Sequence, residues 1–237
     1  MRGAMLIPVL MLGACSMGEA SEGQGQRGAR NFQVGAFDRI SLTGSPNVVV
    51  AVGQAPSVRA EGDSALLEKL EIEVVNGVLR IGYKKGDWSL GWGKDHGPVT
   101  VHVSTAALRG AEVAGSGDLK IDKVEAGDFA GDIAGSGEIQ LASLRARHAS
   151  FSIAGSGGVT ASGTADTAEF EIAGSGDVDA GGLQVRTAKV SIAGSGNVET
   201  RATQSATVDI MGSGDVVVTG GAKCSVNKAG SGDVRCG

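Results

Sequence analysis

Residues 151–178 read FSIAGSGGVTASGTADTAEFEIAGSGDV, in which Ile-Ala-Gly-Ser-Gly occurs at Ile153 and again at Ile172. Followed outward in both directions, Gly-Ser-Gly begins at Gly115, Gly135, Gly155, Gly174, Gly194, Gly212 and Gly230, in steps of 20, 20, 19, 20, 18 and 18 residues. A repeat of that length is one rung of a solenoid, a unit that buries its apolar face only by stacking on its neighbours. Four residues past the first glycine stand Leu119, Ile139, Val159, Val178, Val198, Val216 and Val234. Two before it stand Val113, Ile133, Ile153, Ile172, Ile192, Ile210 and then Lys228. These positions alternate with polar or small residues, the period of two that marks strands with one buried face. All four prolines (Pro8, Pro46, Pro56, Pro98) precede residue 100, so every backbone N–H of the repeats is free to join a ladder.

The packing of this interior is legible one level deeper. Six residues before each corner the side chain is small in four rungs (Ala149, Ala168, Ala188, Ala206), and four before it is large (Phe151, Phe170, Val190, Val208). In the first rung the sizes are exchanged, Phe129 for Gly131, as expected where two positions share an interior of fixed cross-section. The glycine corners supply positive φ for tight turns. Each is followed by a strand pattern, whereas a phosphate cradle or a nucleophile elbow requires a helix there.

The whole chain agrees with this reading. It has 237 residues, 41% apolar and 20% charged, which is too apolar for a disordered chain. Its 40 glycines fall well short of the one-third that collagen needs. Aromatics are only 3%, as a thin solenoid core demands, and a net charge of −5 gives no nucleic-acid footprint.

At the N-terminus, Arg2, the apolar run from Ala4 to Leu12 and Leu12-Gly13-Ala14-Cys15 have the form of an export signal. The four residues resemble a bacterial lipobox, which implies cleavage before Cys15 and lipidation of its thiol. A secretory signal cleaved near Ala20 is the alternative, and both readings export the protein. Ser16 in place of an aspartate directs a lipoprotein to the outer membrane. The expected organisation is a lipoprotein signal peptide at 1–14, a flexible tether at 15–32, irregular N-terminal strands at 33–113 and the repeats at 114–237.

Within the irregular part, Asn76-Gly77 predicts a hairpin turn and Asp63 to Leu70 a short helix capped by Asp63 or Ser64. Lys84 to Pro98 reads KKGDWSLGWGKDHGP. Trp88 and Trp92 in this glycine-rich segment are candidate ligand contacts; a cap over one end of the solenoid is the alternative.

Phe37-Asp38-Arg39-Ile40, Gly44-Ser45, Val48-Val49-Val50, the Asn76 to Ile81 hairpin and the serial corners together resemble the bacterial family called putative auto-transporter adhesin, head GIN domain, from about residue 33 onward. That resemblance implies a single-stranded right-handed parallel β-helix in envelope proteins, often lipoproteins, with no catalytic residues. The chain shows no long barrel-forming segment after the repeats, so the family name does not imply a secretion mechanism here.

The remaining candidates are sparse. Cys224 and Cys236 flank the last corner symmetrically, and an oxidising envelope permits a bridge between them; two separate buried thiols are the alternative. Asp118, Glu138, Gly158, Asp177, Asn197, Asp215 and Asp233 follow the corners and pose calcium binding against turn-forming Asx residues. His96, His102 and His148 have no metal-ligand spacing. Asp128 and Asp132, near Glu138, are the only carboxylates that invite comparison with polysaccharide-cleaving β-helices. The sequence thus predicts an all-β solenoid of 18–20 residues per rung and a non-enzymatic, lipid-anchored envelope protein that presents an adhesion or interaction surface. It names no cofactor or metal, a membrane contact through Cys15, an envelope protein or glycan as partner, and no nucleic acid. A polysaccharide-binding or polysaccharide-cleaving β-helix and a periplasmic scaffold are the alternatives.

Overall fold

A computed structural model describes residues 27–84 and 97–237. The first half contains β1 (Arg27–Phe32), β2 (Arg39–Gly44), β3 (Asn47–Val52), β4 (Ser57–Asp63), α1 (Ser64–Lys69), β5 (Leu70–Val75), β6 (Val78–Tyr83) and β7 (Thr100–Thr105). Then come β8 (Gly110–Gly115), β9 (Asp118–Ile121), β10 (Val124–Glu125), β11 (Asp128–Gly135), β12 (Glu138–Gly155), β13 (Gly158–Gly174), β14 (Asp177–Gly194) and β15 (Asn197–Gly212). The chain ends in β16 (Val216–Thr219), β17 (Lys223–Gly230) and β18 (Val234–Cys236).

The repeats form a parallel β-solenoid in which equivalent residues stack directly. Val113 pairs with Ile133, Ile133 with Ile153, Ile153 with Ile172, Ile172 with Ile192 and Ile192 with Ile210. Each of these residues is at most 3% exposed, so each contributes about 1.5–3 kcal/mol of burial. The exchange of sizes at Phe129 and Gly131 has a direct cause. The Phe151 ring lies over Gly131, where a Cβ would meet its Cδ1 at 2.9 Å. Phe151 stacks on Phe170 with ring centroids 5.8 Å apart, and Phe129 meets Phe151 at 6.0 Å, tilted.

The two glycines of a corner are required for different reasons. Gly135 has φ +132°, and a Cβ there would lie 2.4 Å from the carbonyl oxygen of Gly115 in the rung below. Gly137 has no such torsion, but a Cβ would meet the Gly117 oxygen at 2.3 Å. The expectation of positive φ therefore accounts for the first glycine, and close stacking of backbones accounts for the second. The stacking keeps the ladder unbroken around the corner, since Ser136 N–H donates to Gly115 O at 2.9 Å and Ser156 N–H to Gly135 O at 2.9 Å.

A third run of strand in each rung, absent from the two-sided reading of the sequence, closes the solenoid. It pairs Leu144 with Gly163, Gly163 with Leu183, and Val185 with Ala202. Register shifts flank it between Leu141 and Leu144, between Thr160 and Gly163, and between Ala180 and Gln184. These bulges absorb the one or two residues by which rungs differ in length.

The N-terminal strands prove to be solenoid as well. Gly44 stacks on Gly115 and Val48 on Leu119, so Gly44-Ser45-Pro46 is a further corner and β2–β3 a further rung. The predicted boundary at 113/114 falls inside β8. The β2–β3 rung is itself stacked on β6 and β7. There β5 pairs antiparallel with β6 through the expected Asn76-Gly77 turn (φ 53° and 79°), β4 pairs antiparallel with β7, and β1 with β4. Residues 27–32, assigned to the tether from sequence, are therefore strand β1. Helix α1 bridges β4 and β5, and Asp63 caps it by accepting the Ala65 N–H at 2.8 Å. Among the described residues, this antiparallel layer is the cap of the N-terminal end, the role offered above as an alternative for the tryptophan segment.

Among the described residues, none covers the opposite end. Lys228 takes the isoleucine position of the last rung and donates through Nζ to Gly232 O at 2.6 Å. A charge at the end of an apolar column discourages another strand from stacking there. Cys224 and Cys236 form a disulfide across this rung. Closure of a loop of sequence separation 12 is worth about 3 kcal/mol.

Candidate functional site

The corners place an exposed serine on every rung from Ser45 to Ser231, a column of hydroxyls along one edge. Beside it, on the residue before each corner, runs a column of alanines with one methionine: Ala154, Ala173, Ala193, Met211 and Ala229. Two residues further back stand Ser152, Glu171, Ser191, Asp209 and Asn227. Between these two columns lies a shallow open trough of about 560 Å³ that crosses five rungs. Its hollow follows from the alanines, whose methyl groups leave the backbone nearly bare between longer neighbours. Met211, 71% exposed, rises from the alanine column. Lys189 stands on the bank of the trough with Nζ 2.5 Å from Glu169 Oε1. Glu169 foremost, by hydrogen bond and charge, raises the Lys189 pKa, helped by Glu171 and Asp209.

The residues after the corners act between rungs. Asp177 Oδ1 accepts the Asn197 backbone N–H at 3.0 Å and its Nδ2 at 2.9 Å. Asn197 Oδ1 accepts Asp215 N–H at 3.1 Å, and Asp215 Oδ1 accepts Asp233 N–H at 2.7 Å. Their oxygens are thus engaged in the ladder itself, one rung reaching to the next, where sequence offered calcium ligands or local turns. Among the described residues no group of three His, Cys, Asp or Glu is placed to hold a metal ion.

The carboxylates offered for sugar cleavage are dispersed. Asp128 and Asp132 lie on one strand four residues apart, about 13 Å at the usual rise. Glu138 lies beyond the Gly135-Ser136-Gly137 corner. The neighbour that matters to Asp132 is Glu112, stacked beneath it in the adjacent rung. Partial burial, and then Glu112, raise the Asp132 pKa against the opposing pull of Arg39. Sequence spacing alone hid this pair, because Glu112 and Asp132 meet only through the rung period. Of the three histidines, His148 is held at the start of a rung, its Nδ1 2.7 Å from Thr167 Oγ1. Cys15, Trp88, Trp92 and His96 lie outside the described residues.

The sequence profile of the family described as "putative auto-transporter adhesin, head GIN domain" matches residues 36–222. The chain belongs to this family. The head GIN domain thus begins just before β2 and includes the rung interleaved with the cap. A comparison with curated proteins gives no match. Among solved structures, a "putative lipid binding protein" from Parabacteroides distasonis is 27% identical, with 91% of this chain and 98% of that one covered and a TM-score of 0.71. A "putative adhesin" from Bacteroides fragilis is 22% identical over 89% and 97% of the two chains, with a TM-score of 0.76. One from Parabacteroides merdae is 17% identical over 91% and 98%, with a TM-score of 0.70. The last two establish a shared fold. The GIN domain of this chain is therefore a solenoid of the same kind, and none of the three neighbours is described as an enzyme.

Proposed function

We propose that this protein is a non-enzymatic module of the cell envelope, anchored through lipid on Cys15, whose rigid solenoid serves adhesion to a glycan or an envelope protein. The observation that carries the reading is the open trough over five rungs. A site that repeats every rung, about 4.8 Å apart, suits an extended partner with its own repeat better than a small enclosed substrate. Membership of a family described as adhesins supports a place in the envelope or at its surface.

Protease shaving of intact cells tests the surface placement. Digestion of the tether on intact cells, releasing a solenoid fragment, is the expected result. Protection until the cells are opened would leave a periplasmic scaffold and end the adhesion reading. In parallel, Cys15→Ser should move the protein out of the membrane fraction; full retention there would remove the lipid anchor.

A further inference from the structure

The cations of the repeats gather on one side. From β12 onward the third run carries Arg145, Arg147, Arg186, Arg201 and Lys223, all exposed, against Asp166; one rung earlier Glu125 lies in register with Arg145 and Asp128 with His148. The second run, around one bend, carries Asp177, Asp179, Glu199, Asp215 and Asp233. A chain of net charge −5 therefore has one strongly basic face. Glu125, Arg145, Thr164, Gln184 and Arg201 occupy one stacked column, its acid at the N-terminal end. The two arginines are three rungs apart, about 14 Å, with a hydroxyl and an amide between them.

The neighbouring column is preorganised. The guanidinium of Arg147 lies across Gly127, where a Cβ would meet Nη2 at 2.7 Å. Arg186 lies 3.9 Å from Asp166, and the Gln204 amide oxygen, oriented to satisfy both groups, accepts from its Nε and Nη2 at 3.3 Å. Arg145, Arg147 and Arg201 have no ion pair among the described residues. Guanidinium groups so exposed suit carboxylate or sulfate oxygens, which they bind with two parallel hydrogen bonds.

We propose that this face binds an anionic polysaccharide laid along the solenoid axis, its acid groups on the arginines and its hydroxyls on Thr164 and Gln184. Interleaving of charge with neutral donors and acceptors favours this class over others. A nucleic acid calls for stacking platforms, and the described part of this face carries no aromatic side chain. A lipid surface presents a continuous plane of phosphates, whereas this stripe sets Thr164 and Gln184 between its arginines in step with the rungs. The inference builds on the interaction-module reading but not on location, so binding and shaving can fail independently.

The test uses the full chain in detergent, titrated with oligogalacturonides, with neutral maltooligosaccharides, anionic phosphatidylglycerol vesicles and single-stranded DNA alongside. Oligogalacturonide binding should weaken at least tenfold between about 0.05 and about 0.5 M salt. Combined Arg145→Gln, Arg186→Gln and Arg201→Gln should lower affinity at least about tenfold at unchanged melting temperature, since the three side chains are exposed. Asp166→Asn should tighten binding, and Asp215→Asn on the acidic face should leave it unchanged. Absence of oligogalacturonide binding, equal binding by the triple variant, or vesicles or DNA bound as well as the sugar would each overturn the proposal.

Discussion

Replacing single corner glycines by alanine separates backbone conformation from stacking and puts numbers on both. At Gly135 a side chain must adopt φ +132°, which costs about 1–3 kcal/mol. Its Cβ would stand 2.4 Å from Gly115 O, where ordinary contact begins near 3.4 Å, so the two rungs must part by about 1 Å. Parting weakens the bonds of Ser136 N–H and Gly137 N–H to that oxygen, now 2.9 and 3.0 Å, at about 1 kcal/mol each. Gly135→Ala should therefore lose about 3–5 kcal/mol. Gly137→Ala avoids the torsional cost but meets Gly117 O at 2.3 Å and Val113 Cγ1 at 2.7 Å, for a loss of about 2–4 kcal/mol. Gly158, one residue past the next corner, is the control. Its nearest neighbour would be Glu138 Cγ at 3.7 Å, so alanine should stabilise by about 0.5–1 kcal/mol through lost chain entropy. Urea unfolding followed by circular dichroism reads all three. Gly135→Ala within 1 kcal/mol of wild type, or Gly158→Ala as damaging as Gly137→Ala, would refute the stacking account.

Further outcomes follow from single groups. The Thr200 hydroxyl is fully buried and has no hydrogen-bond partner among the described residues; Thr200→Val should gain about 1 kcal/mol, read as a higher melting temperature by calorimetry, and a loss would mean the hydroxyl is satisfied. Cys224→Ser with Cys236→Ser should cost about 3 kcal/mol, with faster hydrogen exchange concentrated in β17 and β18; uniform change along the solenoid would argue against an end staple. Because Asp132 has a raised native pKa, the native state is penalised once that carboxyl ionises and is relieved as pH falls through that pKa. Asp132→Asn should accordingly be more stable than wild type at neutral pH, with an advantage that shrinks on acidification and is gone below about pH 3.9, the unfolded value; a pH-independent difference would rule out this linkage.

The stack of isoleucines and the Phe129–Gly131 exchange were legible in sequence because seven corners kept them in step. Gly44-Ser45-Pro46 escaped notice because its third residue is proline. The third run and its arginines were hidden for a related reason. Arg145 lies ten residues after Gly135, whereas Arg201 lies only seven after Gly194, since the rungs differ in length on that side alone. A fixed period aligns everything near the corners and blurs whatever lies opposite them. The hydrogen-bond ladder of Asp177, Asn197, Asp215 and Asp233 was misjudged for the same cause, because a local turn and a contact one rung away look alike in a linear chain.

The interleaved order of the N-terminal strands has a consequence for biogenesis. The first rung to be synthesised, β2–β3, has neither neighbour available at that moment, since β6–β7 and β8–β9 both lie further along the chain. No strand can dock on it until β6 has emerged at Tyr83, and the rung is flanked on both sides only once β9 ends at Ile121. The non-local pairings of the cap are then the slow, committing step, because chain entropy is spent before contacts reward it. Every later rung adds to a finished template next to it in sequence, so assembly proceeds outward from β2–β3, toward the cap on one side and along the repeats on the other.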